Sequence, residues 1–286
     1  MTYKKHVDIK QVLKTKSPKL HKYLPGFILN YIIRKLHQDD INYGIHIMQD
    51  KYGHDFNKAG LDYVGAKVKW HGLENIPSKG KVIIAANHPL GGLDGMALIH
   101  AVSQVRKDTV FFVNDVLKNL ENYGDLFVGV NKVGNSSNSA LKVVVDEYST
   151  EKAILVFPAG LVSRKQKGMI RDLEWKKSFV SKALQYGSPI IPTYIHGQNS
   201  KFFYNFAMWR KRLGIKANIE MFFLPDEMFS QSNKDIHIQF GPPISHKLLD
   251  ESKTPKQWAQ VIKAYIYSDK FSKGIPFDEF IKHHRH

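Results

Sequence analysis

A chain of 286 residues that is 43% hydrophobic can bury a core of one or two domains, which excludes an intrinsically disordered protein. It contains no cysteine, which excludes disulfides, thiolate metal sites and a cysteine nucleophile. Lysine and arginine total 42 against 26 aspartates and glutamates, and the net charge of +16 asks for an anionic partner: nucleic acid, an anionic membrane surface or an acidic protein.

In chain order, residues 1–60 read as a helical segment. From Pro18 to His37, Leu20, Tyr23, Leu24, Phe27, Ile28, Tyr31, Ile32 and Leu36 recur three or four apart, with Lys19, His21, Lys22, Arg34 and Lys35 on the other side. Two readings are open: an amphipathic helix whose apolar face joins the core, or an interfacial helix with rings in a lipid boundary and cations on anionic headgroups. Pro25-Gly26 splits the pattern in two. From Tyr63 onward strands and helices alternate. Strands are predicted at 64–70, 81–86, 109–113, 153–157, 190–196, 218–223 and 235–240, and helices at 94–105, 138–148 and 175–186, the last capped by Gly187. Thr254-Pro255 opens a final helix to about Tyr267, with Thr as N-cap and Pro in its first turn. The aromatic stretch after Gly197, with Phe202, Phe203, Tyr204, Phe206 and Trp209, reads either as core or as a loop near lipid or acyl chain. The closing Lys282–His286 reads as a frayed basic tail. The alternation predicts an α/β fold, a mixed central sheet flanked by helices over 61–286, with its active site at strand ends. No run approaches the roughly 18–20 apolar residues of a membrane span, and Met1–Asp8 lacks a signal peptide's apolar core. Work on lipids would therefore have to be done from the membrane surface.

The richest segment follows the apolar run Val82–Ala86. It delivers Asn87, His88, the pair Gly91-Gly92 and Asp94, and then an apolar helix-type run takes over. A histidine followed closely by an aspartate is the minimum equipment for a general base with an orienting carboxylate; the plainer reading is a surface histidine and a helix cap. Asn87–Asp94 resembles the first block of the glycerolipid acyltransferases (the lysophosphatidic acid acyltransferase superfamily). It is closer to their bacterial hemolysin-like branch, which includes enzymes of amino-acid lipid synthesis. Gly124–Lys132, Val156–Arg164 and Pro189–Thr193 resemble the second, third and fourth blocks, in the family's order.

The resemblance implies a glycerophosphate acyltransferase-like fold and acyl transfer from a thioester to a hydroxyl. His88 fits the base, since imidazole is neutral and ready near physiological pH, and Asp94 fits the carboxylate that fixes its tautomer. Gly91 and Gly92 would let backbone approach the substrate and present N–H groups to the oxyanion at the helix start. With no cysteine and no recognisable serine elbow, the acceptor attacks directly. Asn87, Lys132, Phe157, Pro158, Gly160, Ser163 and Arg164 are the expected substrate-binding positions, Lys132 and Arg164 as cationic anchors for the acceptor's headgroup.

Two departures qualify the resemblance. Five residues separate His88 from Asp94, where the superfamily usually has four; the longer spacing fits the hemolysin-like branch. Ala159 and Val162 stand where most of the superfamily has a Glu and an Arg associated with holding glycerol phosphate, which favours a zwitterionic or carboxylate acceptor. The expected function is therefore a peripheral O-acyltransferase at the cytoplasmic face of the inner membrane. It would move an acyl group from acyl carrier protein or coenzyme A to a lyso amino-acid (ornithine or glycine) lipid, with no bound cofactor and no metal. The alternative acceptor is 1-acyl-glycerol-3-phosphate. From another class, a basic nucleic-acid- or lipid-binding protein without catalysis stays open, although no nucleic-acid recognition motif is present.

Overall fold

Strand β2, Val82–Ala86, runs through the middle of the protein because all five of its side chains are apolar and neither face can be left in water. The computed structural model describes residues 6–16, 18–113, 117, 120–129, 137–216 and 218–282. Among them lie β1 (Lys67–His71), β3 (Thr109–Val113), β4 (Phe127–Gly129), β5 (Ala153–Val156), β6 (Arg164–Gln166), β7 (Met169–Arg171), β8 (Ile190–Ile195) and β9 (Asp235–Phe240). Seven form one sheet in the order β1-β9-β8-β2-β5-β3-β4, with β2 at its centre; β6 and β7 make a separate antiparallel hairpin. β8, β2, β5, β3 and β4 run parallel, whereas β9 is antiparallel to β8 and carries β1 parallel to itself. The sheet is therefore mixed, and helices cover both faces.

The alternation along β2 divides the core. Val82, Ile84 and Ala86 pack with Phe56, Leu61 and Val64 of helix Gly53–Val64 and Leu93, Ala97 and Leu98 of helix Gly92–Val102. Ile83 and Ala85 pack on the other side with Phe179, Val180 and Ala183 of helix Ser178–Tyr186 and Trp258, Ile262 and Tyr265 of helix Pro255–Ile266. The two sequence-read caps are in place: Gly187 closes its helix at φ 68°, and Thr254 Oγ1 accepts from Gln257 N–H while Gln257 Oε1 accepts from Thr254 N–H.

The predicted strand 218–223 is a 3-10 helix, Ile219–Phe223. The reason is Glu220 in mid-run, which the tight turn points inward to two arginines. The aromatic stretch is a regular helix, Lys201–Arg212, started by Ser200 Oγ accepting from Phe203 N–H.

The N-terminal segment forms helices Ile9–Lys16, Pro18–Tyr23, Gly26–Lys35 and Gln38–Ile47, broken at Pro25 as expected. Of its apolar face, Leu36 is buried, whereas Tyr23, Phe27 and Tyr31 are exposed. Lys35 Nζ and His37 Nε2 bind Asp226 at 3.0 and 3.1 Å, and the His37 ring lies 4.5 Å from that of Phe229. The expected boundary at residue 60 falls inside helix Gly53–Val64, whose apolar side chains belong to the sheet core. Lys132 and the tail 283–286 lie outside the described residues.

Candidate active site

β2 hands the chain to a turn that the neighbouring elements pin atom by atom. Asn87, buried, accepts from Ile195 N–H at 2.6 Å and donates to Ile195 O at 2.9 Å, so its whole amide extends the β2–β8 pairing by one step. Expected at the substrate, Asn87 is instead a staple between strand ends. The next residue, His88, is fixed through its main chain: its carbonyl accepts from Ser163 N–H at 2.7 Å and its N–H donates to Asp172 Oδ1 at 3.2 Å. Gly91 then takes φ 85°, ψ −135°, a region that essentially only glycine tolerates, with Leu224 lying 3.1 Å from where a Cβ would stand.

The side chains meet across this turn. His88 Nδ1 and Asp94 Oδ2 are 2.8 Å apart, so the five intervening residues do close the pair. Asp94 has no solvent exposure; its Oδ2 also accepts from Leu90 N–H at 2.7 Å and Gly91 N–H at 3.0 Å. Burial raises the Asp94 carboxyl above its ordinary value, against the opposing pull of His88 and those two N–H groups. A desolvated carboxylate on Nδ1 holds a proton there and leaves Nε2 as the basic nitrogen. The imidazole lies flat on Phe157, ring centres 4.1 Å apart and planes 10° apart, with Phe111 edge-on behind at 5.3 Å. The ring is thus fixed in plane and in rotation, and Nε2 has no protein partner among the described residues.

The other expected residues fall into distinct places. Gly91 N–H is engaged by Asp94, whereas Gly92 is exposed in the first helical turn, where backbone N–H groups point outward. Pro158 is buried and its carbonyl accepts from Lys176 N–H at 3.0 Å. Gly160, at φ 65°, closes a turn by donating to Phe157 O. Ser163 donates its hydroxyl to Asp172 Oδ1 at 2.6 Å. Arg164, expected to grip the acceptor's carboxylate, is 8% exposed; its Nη2 pairs with Glu220 Oε1 at 2.7 Å, its Nη1 donates to Val162 O at 2.6 Å, and it lies over the Phe203 ring. Glu220 also pairs with Arg210 at 2.7 Å, so Arg164 is one side of a buried Arg–Glu–Arg bridge, with both its terminal nitrogens taken by protein groups.

Asp172 escaped the reading from sequence. It is fully buried, accepts from His88 N–H, Ser163 Oγ and, through Oδ2, Trp175 Nε1 at 2.8 Å; its own N–H donates to the Tyr267 hydroxyl at 3.0 Å. The only signal was an acidic residue just after the hairpin, next to Leu173 and before a tryptophan. Taken together the arrangement brings together an imidazole, a carboxylate that orients it, a helix N-terminus beside them, and a second carboxylate that holds the histidine's backbone.

A family model described as Acyltransferase matches residues 11–273. Two curated relatives, both named lyso-glycine lipid O-acyltransferase, come from Bacteroides thetaiotaomicron and Phocaeicola vulgatus. Each is 42% identical over 262 residues, covering 91% of this chain and 96% and 94% of theirs respectively. A 1-acyl-sn-glycerol-3-phosphate acyltransferase from Borreliella burgdorferi is 28% identical over 155 residues, 52% of this chain and 58% of that one.

Proposed function

The chain belongs to the acyltransferase family, and from that premise we propose that it is a lyso-lipid O-acyltransferase with His88 as general base. In this reading His88 Nε2 takes the proton of the acceptor hydroxyl as its oxygen attacks the acyl thioester carbon. Asp94 stabilises the imidazolium that forms. The tetrahedral oxyanion sits at the start of helix Gly92–Val102, where first-turn N–H groups and the helix dipole favour negative charge. Collapse breaks the carbon–sulfur bond, and the imidazolium returns its proton to the departing thiolate. Ser163 takes no covalent part, because its hydroxyl is buried and bonded to Asp172. The observation that carries this reading is the 2.8 Å His88–Asp94 contact, with Nε2 free of partners among the described residues.

The acceptor we propose is a lyso-glycine lipid, the substrate in the names of both relatives covering most of the chain. Ala159 and Val162 support it: both are buried and apolar, and neither offers a polar group to glycerol phosphate. Lys132 keeps the expected role of anchor for an anionic headgroup; Arg164 does not. The donor is the thioester of acyl carrier protein or coenzyme A, and the net charge of +16 suits either anion. No helix among the described residues is long and apolar enough to cross a membrane, in keeping with a peripheral enzyme, proposed at the cytoplasmic face of the inner membrane.

The test offers both thioesters with lyso-glycine lipid, lyso-ornithine lipid and lysophosphatidic acid. Turnover is expected with the glycine acceptor and should fall about 10²–10⁴-fold in His88→Ala. Arg164→Met should leave the acceptor KM unchanged while lowering stability. Turnover confined to lysophosphatidic acid would move the acceptor to the alternative; an active His88→Ala would remove the proposed base.

A further inference from the structure

Helix Lys201–Arg212 turns a row of aromatic rings to solvent. Phe202 and Trp209 are 55% and 56% exposed, with Phe206 between them; its ring stacks 5.6 Å from Phe202 at 9° and 6.3 Å from Trp209 at 26°. Phe223 stands edge-on to both phenylalanines, at 5.1 and 5.5 Å, and Phe222 beside it is 56% exposed. The opposite side of the helix is already buried through Phe203, Tyr204 and Ala207, so the outward rings are not needed for its own packing. Leu213 and Ile215 extend the apolar surface past the helix end.

The unpaired charges that the sequence places along this helix have one sign. From Gly197 to Asn218 there is no Asp or Glu, while Lys201, Lys211, Arg212 and Lys216 are exposed. The next acids are taken: Glu220 is buried under Arg164 and Arg210, Asp226 is paired with Lys35 and His37, and buried Glu227 accepts from Ser200 at the helix cap. Exposed aromatics bracketed by cations, with the nearby carboxylates buried or ion-paired, match the boundary of an anionic bilayer, where rings enter the acyl edge and cations stay at the headgroups. An acidic protein would answer the cations but would not need so large an array of stacked rings. The surface also leads to the site: Phe223 continues into Leu224, which lies against Gly91, and Phe203 beneath the rings carries the Arg164 guanidinium, one residue from the Ser163 N–H that holds His88.

We propose that the outward face of helix Lys201–Arg212, together with Phe222, is the surface that seats the protein on an anionic lipid bilayer, so that a lipid acceptor reaches His88 from the interface. The last clause rests on the lyso-lipid reading; the seating itself does not.

The experiment uses the full chain with vesicles of phosphatidylglycerol and phosphatidylcholine, and with phosphatidylcholine alone. Binding is expected to need the anionic lipid. Phe202→Ser with Trp209→Ser should weaken it at least about tenfold, and Lys211→Gln with Arg212→Gln should weaken it with the rings intact. Of the four tryptophans, Trp175 and Trp258 are buried and Trp70 is half-buried against the sheet core in β1, so the part of the quenching by acyl-brominated lipids that disappears in Trp209→Tyr should be most of it and reports Trp209. Turnover on a detergent-dispersed acceptor should persist in all these variants. The proposal is overturned if the ring variant binds vesicles as the native chain does. It is equally overturned if Tyr23→Ser with Phe27→Ser abolishes binding while the ring variant does not, which would assign the contact to the N-terminal helices. Loss of turnover with a carrier-protein thioester alone, at unchanged vesicle binding, would assign the face to the donor protein instead. Ring-dependent binding by a protein that turns over no lyso-lipid would uphold the seating and sink only the proposed reaction.

Discussion

Asp94 serves three hydrogen bonds through one oxygen and none through the other: Oδ2 meets His88, Leu90 and Gly91, while Oδ1 has no partner among the described residues. Asp94→Asn keeps an oxygen for the two backbone donors and places its amide nitrogen where nothing was bonded. Because burial holds the Asp94 carboxyl above its ordinary value, its ionisation costs folded-state stability as pH rises through and beyond the ordinary carboxylate range. The amide removes that cost. Thermal melts near pH 7–8 should therefore show Asp94→Asn at least as stable as the native chain. Its turnover should fall about 10³–10⁴-fold, because the imidazole loses the carboxylate that sets its tautomer. A variant that melted lower and kept its turnover would show Asp94 to be only a helix cap. Residues of this turn were legible because they are contiguous: one apolar run, one glycine pair, one acid. Asp172 was not, since its partners His88, Ser163, Trp175 and Tyr267 converge only once the sheet has formed. Arg164 was misplaced for the same reason; its true partner, Glu220, lies 56 residues further on, hidden in an apolar run.

At the scale of elements, the strands with two buried faces were the most legible. β2 and β3 came out within a residue of their sequence-read ends, because unbroken β-branched and aromatic runs have no other comfortable place; β9 did so by strict alternation, with Ile236, Ile238 and Phe240 inward. The helices Gly26–Lys35 and Lys201–Arg212 were harder, since their outward rings blur the two-sided pattern that identifies a core-facing helix. The first of these is tied down at its end by Lys35 and His37 on Asp226. Burial alone would raise the Asp226 carboxyl, but hydrogen bonds from Lys35 and His37 outweigh it and hold the group below its ordinary 3.8; Lys35 is raised above 10.5 by the same contact. A depressed acid stabilises above its unfolded value and a raised amine below its own, so the tie is intact between about pH 4 and about pH 10 and weakens outside that window. Both side chains are more than a third exposed or nearly so, which limits the ion pair to about 1 kcal/mol or less. Hydrogen exchange should show helix Gly26–Lys35 opening below pH 4 ahead of the sheet, and Asp226→Asn should open it at neutral pH. Equal protection in variant and native chain would mean that apolar packing, not this tie, holds the helix.

For the whole molecule the governing quantity is a charge of +16 carried by an enzyme whose proposed donors are anions. Attraction between exposed charges fades over about 10 Å at 0.1 M salt and about 3 Å at 1 M. Raising salt from about 0.05 to 0.5 M should therefore increase KM for an acyl-carrier-protein thioester by roughly tenfold with little change in kcat, because steering acts on encounter and not on chemistry. A KM indifferent to salt would mean the charge serves another partner. The sheet order has a further consequence, one of timing. β2 emerges early in synthesis, yet its two neighbours are β5 and β8, and Asn87 is stapled to Ile195. A nascent chain that has not reached Ile195 holds the proposed base on a strand whose β8 edge is still open, without the Asn87 staple and without Tyr267 on Asp172. The ribosome must add 108 residues after Asn87, more than it has made by then, before the strand end that carries the proposed base is stapled. Unfinished chains are thereby born inactive, and the exposed apolar β2 of such a fragment is the surface a chaperone would meet first.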